Sequence, residues 1–230
     1  DFQKTLDRFR LVLSNLKKRV SADSPHMEKI ENLEMRLKLE EYSAKHVAHL
    51  VSTDEFIRVI EEALSGSDEI AKLSALCLRG DLVDGAKAYE QALAIAVKAT
   101  TSSSRLVRIN AYDLFTKLVR KDQGFTEAAL AVSQAVYWGE VSGLSLALVK
   151  KGKAFREVLN RAIRAIEGRV PNDETLIVIE LLIEKGYRDG YADMKRVLEW
   201  RLASEKIIPA QRARQLLIKL TERMKAEGPQ

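Results

Sequence analysis

Apolar residues recur along almost the whole chain at spacings of three and four, the period of an amphipathic helix. The segment KAFREVLNRAIRAIEG shows it most plainly. Phe155, Val158, Leu159, Ala162, Ile163 and Ile166 form one stripe, and Arg156, Asn160 and Arg164 line the opposite face. Gly168 and then Pro171 close the segment, because a proline cannot continue a helix. The same reading predicts about twelve helices, over 2–20, 26–50, 54–65, 68–78, 81–99, 104–121, 125–138, 141–151, 153–167, 173–185, 189–204 and 208–227. Start signals agree with the period. Thr53-Asp54-Glu55, Ser67-Asp68-Glu69 and Asn172-Asp173-Glu174 each set a capping side chain ahead of acidic first-turn residues, where the amides and the helix dipole favour negative charge. TLIVIELLIEK, at 175–185, is β-branched enough for a buried strand. The cap before it, Gly186 after it and the lack of a pairing strand predict a helix buried on both flanks.

Four segments share one phrase, a helix ending in apolar residues, a charged pair, a turn and a second helix: LSALCLRGDLVDGAKAYEQAL, LFTKLVRKDQGFTEAALAV, LSLALVKKGKAFREVLNRAI and VIELLIEKGYRDGYADMKRVL. Aligned on Leu78, Val119, Val149 and Ile183 they recur at 41, 30 and 34 residues, an irregular period of the kind degenerate helical repeats give. In VRINAYDLFTKLVR, the residues Val107, Arg108, Ala111, Leu114 and Leu118 resemble the V-R-x-x-A-x-x-x-L-x-x-L helix of HEAT and armadillo repeats. The resemblance extends over about residues 26–204. It implies an all-α, right-handed α-solenoid of about twelve helices with helical caps, binding other proteins along a concave face. The organisation expected is one continuous domain: capping helices at 1–50, repeats at 51–207, and a C-terminal helix and tail at 208–230. The tryptophan and asparagine ladder of peptide-binding armadillo grooves has no counterpart, Asn160 being the position nearest to one. Armadillo-type nucleotide-exchange co-chaperones are similar around 104–120. GDLVDGAKAYEQAL at 80–93 resembles the second helix of a TPR through Gly80, Tyr89, Ala92 and Leu93, with Gly85 where an alanine is expected. PNDET and EKG, within 171–186, resemble a pentatricopeptide unit.

Composition sharpens this picture without redirecting it. At 46% hydrophobic and 31% charged residues the chain is folded rather than disordered, and 4 Pro, 11 Gly and 14 aromatics suit long helices. The single cysteine, Cys77, excludes an intrachain disulfide and fits a cytoplasmic setting. No apolar run reaches the roughly 20 residues that span a bilayer. The chain opens on Asp-Phe-Gln rather than Met, so a leader would already have been removed, and an organelle lumen stays open as a location. The net charge of +5 is unevenly spread: residues 51–90 hold nine acids against four bases, and 148–169 hold seven bases against two acids.

Candidate chemistry is sparse. His46 and His49 stand three apart, a spacing that can bind metal, but Val47, Ala48 and Leu50 surround them and boundary histidines are the plainer reading. Cys77 in LSALCL reads as a packed thiol. No phosphate-cradling glycine loop or nucleophile elbow occurs, and Glu40-Glu41 and Glu61-Glu62 point about 100° apart on a helix. The expectation is therefore no enzyme, no cofactor and no metal. Binding is better supplied. Lys150, Lys151, Lys153, Arg156, Arg161 and Arg164 form a basic ridge suited to an acidic peptide, or else pair with the acidic zone. Trp138 and Trp200 stand near helix ends as packing residues or interface anchors. The contacts predicted for a protein partner are Lys150, Lys151, Arg156, Asn160, Arg161, Arg164 and Trp138. The function predicted is a non-catalytic scaffold or adaptor. An RNA-binding helical repeat of TPR or pentatricopeptide type is the alternative, disfavoured because no exposed aromatics interleave the bases. Finally Phe2, Leu6, Phe9, Leu13, Leu16 and Val20 make a short heptad seam, predicted to pack on 26–50 as a cap.

Overall fold

The computed structural model describes residues 2–82, 86–168, 173–203 and 210–227. Among these residues the chain is helical throughout: α1 (Phe2–Arg19), α2 (Pro25–Val47), α3 (Thr53–Ser65), α4 (Glu69–Leu82), α5 (Ala86–Ala99), α6 (Arg105–Arg120), α7 (Phe125–Gln134), α8 (Trp138–Lys150), α9 (Phe155–Glu167), α10 (Asp173–Glu184), α11 (Tyr191–Ala203) and α12 (Ala210–Glu227), with a 3-10 turn at Arg188–Gly190. The twelve helices match the number predicted, and the β-branched run at 175–184 belongs to α10. Gly85, Arg169, Pro171 and Asn172 lie outside the described residues.

Two boundaries differ from expectation. α7 stops at Gln134 and Trp138 opens α8, because Ala135 leaves the helical region at ψ 132. α4 runs through the turn expected at Gly80 and continues to Leu82. A glycine inside a helix costs only about 1 kcal/mol against alanine, which packing of the rest of the helix readily overrides. The start signals are real but shifted. Ser52, one residue before Thr53, caps α3: its hydroxyl accepts from the Glu55 amide at 3.2 Å while the Glu55 carboxylate accepts from the Ser52 amide at 2.9 Å. Asp68 caps α4, accepting from the Ile70 amide at 3.2 Å, and the Arg36 guanidinium forks onto the same carboxylate at 2.5 and 2.7 Å.

The chain forms two compact units, Asp1–Leu114 and Phe115–Gln230, and the boundary falls inside α6. In the first unit α2, α3 and α4 pack on one another, α1 packs on α2, and α5 packs on α4. Its core joins Leu39 of α2, Phe56, Val59, Ile60 and Ala63 of α3, and Ala71 and Ala75 of α4. The α3 stripe has the i, i+3, i+4, i+7 spacing read from the sequence. Each large side chain in it contributes roughly 1.5–3 kcal/mol of burial. α1 and α2 run antiparallel, tied by Arg10 to Glu41 and by Lys17 to Glu34 at 2.8 Å.

In the second unit α7 packs on α8 and α9, α8 on α9 and α10, α9 on α10 and α11, and both α10 and α11 on α12. α10 is covered on two sides, with Leu176, Ile179 and Ile183 on one stripe and Thr175, Val178 and Leu182 on another, all buried. Its near-continuous apolar sequence follows from that position in the middle of its neighbours.

A single backbone device ends four helices. At the end of α6 the Asp122 amide donates to the Val119 carbonyl and the Gln123 amide to Leu118, at 3.0 and 2.9 Å. Gly152 and Lys153 repeat this onto Val149 and Leu148 after α8, and Gly186 and Tyr187 onto Ile183 and Leu182 after α10. The residue closing each helix is left-handed, with φ of 63° at Asp122, 73° at Gly152 and 70° at Gly186, as a Schellman closure requires. Three of the four positions aligned in the sequence, Val119, Val149 and Ile183, thus occupy one equivalent place in three closures, whereas Leu78 lies inside α4. The fourth lies after α2, where His49 (φ 57°) and Leu50 bond back to His46 and Lys45, in a segment expected to be a cap outside the repeats.

Candidate functional site

The closures after α6, α8 and α10 touch one another in order. From the second, Lys151 reaches back to Asp122 at 2.8 Å and Lys153 lies over the Phe125 ring, 5.5 Å from its centre. Phe155, at the start of α9, meets Tyr187 of the third closure with ring centres 5.3 Å apart. Arg156 hydrogen-bonds Tyr187 too, which holds its guanidinium above the ordinary arginine pKa and so charged at every accessible pH. Three of the predicted ridge residues, Lys151, Lys153 and Arg156, therefore serve partly to lash neighbouring turns together.

The outer face of α9 carries Arg156, Asn160 and Arg164, all exposed, at i, i+4 and i+8. Lys150 is exposed at the end of α8. Four residues of helix rise about 6 Å, so the two arginines stand about 12 Å apart along the axis with an amide between them. A planar guanidinium offers paired N–H groups, which match a carboxylate two at a time.

Arg161 and Trp138 are a correction to the predicted set. Both are buried, at 5% exposure each. Arg161 points inward to the segment joining α7 and α8, donating to the Ala135 carbonyl from Nε at 2.8 Å and to the Val136 carbonyl at 2.7 Å. Its guanidinium carbon sits 5.9 Å from the centre of the Trp138 ring. The physical reason lies in the broken helix. The break between α7 and α8 takes the Ala135 and Val136 carbonyls out of the helical ladder, and a buried acceptor without a donor costs about 1–3 kcal/mol. Arg161 supplies the donors, and Trp138 covers its face. Nothing in the period of α9 reveals this, because Arg161 lies on the flank of an otherwise apolar stripe.

Elsewhere the polar groups are engaged structurally. His46 contacts the Thr53 hydroxyl at 3.1 Å and leans on Phe56, whereas His49 closes α2. The two histidines do not converge, and no group of three metal-ligating side chains gathers among the described residues. Cys77 is half-buried on α4. Of the acidic zone, Glu55 serves the α3 cap, Glu62 accepts from Lys38 at 2.6 Å and Asp68 holds Arg36. A cleft of about 520 Å³ beside α1 and α2 contains Arg10, Glu34, Lys38 and Glu41, and one of about 480 Å³ beside α10 and α12 contains Glu180, Arg212 and Lys219. Their carboxylates are already paired with bases: Glu180 titrates below its ordinary value chiefly through its bond from Arg212, so it is held as an anion rather than poised as an acid. No helix of the described residues is long and apolar enough to cross a membrane.

The described residues define an all-helical protein of helical hairpins joined by repeated closures. No family model matches the chain, and no curated protein does. Among solved structures it is similar to a crystal structure of an engineered protein from the Northeast Structural Genomics Consortium, at 12% identity and a TM-score of 0.47, over 94% of this chain and 97% of that one.

Proposed function

We propose that this chain is a HEAT/armadillo-like α-solenoid acting as a non-catalytic adaptor, with the α9 face as a dock for an acidic segment of a protein partner. The observation that carries the reading is the series of three equivalent closures, spaced 30 and 34 residues and each in contact with the next. A hairpin repeated in register presents the same face again and again, which is how solenoids build extended binding surfaces. Lys150, Arg156, Asn160 and Arg164 are the contact residues in this reading. Arg161 and Trp138 support them from within, and Lys151 anchors the turn. Because α9 is braced by α7, α8, α10 and α11, little of its ordering entropy is lost on docking.

The test is fluorescence anisotropy with a short labelled Asp/Glu-rich peptide, comparing the native chain with a Lys150→Glu, Arg156→Glu, Arg164→Glu variant. A loss of at least about tenfold in affinity, some 1.4 kcal/mol, is expected from reversing three contacts. Equal affinity for the two proteins overturns the site. Retention of an unlabelled RNA in preference to the peptide, lost steeply with salt, would replace the adaptor by the RNA-binding reading.

A further inference from the structure

α12 is held differently from the helices it joins. Of its described side chains only Ala213, Leu216 and Leu220 are buried, whereas α10, with twelve residues, buries six. Ile218 stands 60% exposed, and Leu217 and Met224 are half-buried. Between α12 and α10 lies the cleft of about 480 Å³, with Asp173 and Glu180 on one wall and Gln211, Arg212, Gln215 and Lys219 on the other. Charge bridges it. Arg212 reaches Glu180 at 2.9 Å, and Lys219 reaches Glu180 at 3.5 Å and Glu184 at 2.7 Å. Arg223 donates to the Glu184 carbonyl at 3.4 Å, and Arg188, just beyond α10, pairs with Glu227 at 2.7 Å. The two acids of α10 are wet, Glu180 at 32% and Glu184 at 49% exposure, so each pair is weak and open to salt.

We infer that α12 is a releasable strap: it fills in cis a helix-binding seat on α10 and α11, and a basic amphipathic helix of a partner protein takes its place. The occupant is set by what already sits there. Ala213, Leu216 and Leu220 lie at i, i+3 and i+7 in one apolar stripe, and Arg212, Lys219 and Arg223, at i, i+7 and i+11, form a single row beside it toward α10. A helix with that stripe and that row of bases meets the same seat, the helix-in-groove mode of recognition, steered by unlike charge. An acidic helix would set its carboxylates against Glu180 and Glu184. With little apolar surface buried and its ion pairs in reach of water, α12 belongs to the parts of a fold that open before the whole unfolds. α10 keeps its cover from α8 and α9 meanwhile, so the seat outlasts the strap. The competitor binds while α12 is off, and its apparent affinity falls in proportion to the time that α12 is on.

Hydrogen exchange of the full native chain at about 0.05 and 0.5 M salt reads the strap without any substitution. The α12 amides are expected to exchange at least about tenfold faster than those of α10, and faster again at the higher salt while α10 is unchanged. Equal protection of the two helices at both salts overturns the strap. The seat is read by fluorescence anisotropy with a labelled synthetic helix of residues 210–227. Arg212→Glu with Lys219→Glu loosens α12 and leaves the seat as it is, so this variant should bind the synthetic helix at least about tenfold more tightly than the native chain does. A synthetic helix with Glu in place of Arg212, Lys219 and Arg223 should bind the variant at least about tenfold more weakly. A variant whose α12 exchanges freely yet takes up no helix, or equal affinity for the two helices, overturns the seat. A concentration-dependent dimer that the synthetic helix dissolves puts the α12 of a second copy there and overturns the partner. The Lys150→Glu, Arg156→Glu, Arg164→Glu chain should hold and release α12 as the native chain does, which separates the strap from the α9 dock.

Discussion

Arg156 and Arg161 sit five residues apart on α9 and do unlike work: one stands in solvent at the side of Tyr187, the other is enclosed against the carbonyls of Ala135 and Val136. Removing them should separate by stability. Arg161→Ala is expected to cost about 2–3 kcal/mol, the range for lost hydrogen bonds to a charged group with acceptors left buried. Arg156→Ala should stay within about 0.5 kcal/mol. Urea denaturation of the two variants checks this, and equal losses would remove the inward role. The tryptophans divide in the same way. Trp138 is buried and Trp200 is 42% exposed, so acrylamide should quench the native emission only in part, and a Trp200→Phe variant should be nearly resistant.

At the scale of the element, the closures and caps make the sharpest claims. Ala154 opens α9 in a left-handed conformation, φ 53°, where the equivalent residue before α7 is Gly124. A side chain there costs roughly 1–2 kcal/mol, partly offset by the extra freedom glycine has when unfolded. Ala154→Gly should therefore stabilise by about 0.5–1 kcal/mol, whereas Gly152→Ala, at φ 73°, should destabilise. Thermal melts of the pair give opposite signs if the turn is as described. Asp68 combines a cap with a forked ion pair, so Asp68→Ala should cost about 2–3 kcal/mol and Asp68→Asn, which can still cap, less. Glu55 titrates below its ordinary value of 4.5, first because the Ser52 amide and then because the Ser52 hydroxyl bond its charged form. A depressed carboxylate stabilises the fold above its ordinary pKa and loses that contribution as pH falls through the folded value. The stability difference between native chain and Glu55→Gln should accordingly be present at neutral pH and vanish on acidification, and a difference that grew in acid would reverse the sign.

For the whole molecule the informative quantity is where the +5 charge lies rather than its size. Many of the bases are matched inside each unit, with Arg36, Lys38, Lys151 and Arg212 paired with acids. Lys150 and Arg164, with Arg156, leave the basic face of α9 turned to solvent. Binding of an acidic peptide there should weaken progressively between about 0.1 and 1 M salt, as the screening length shrinks from about 10 to 3 Å.

What could be read from the residues alone was whatever depends on near neighbours in the chain. The 3.6 period marked twelve helices, and the apolar-charged-turn phrase found the closures after α6, α8 and α10, two of which Gly152 and Gly186 advertise as left-handed backbone while Asp122 takes that conformation in the first. The closure after α2 was hidden because His49 takes that conformation where neither a glycine nor the phrase marks it. Periodicity also says which face of a helix is apolar. It does not say which polar residue lies within reach of another element's unpaired carbonyls, and so Arg161 looked like a ridge residue until α7 was seen to break beside it. Nor could the heptad seam of α1 reveal that Leu6 and Leu13 are buried while Phe9 and Leu16 are left in the open. Hydrogen bonds within a helix are local and leave their mark on nearby residues. The partner that covers a face, or caps a distant turn, is set by packing between segments far apart in the chain, and only the folded arrangement decides it.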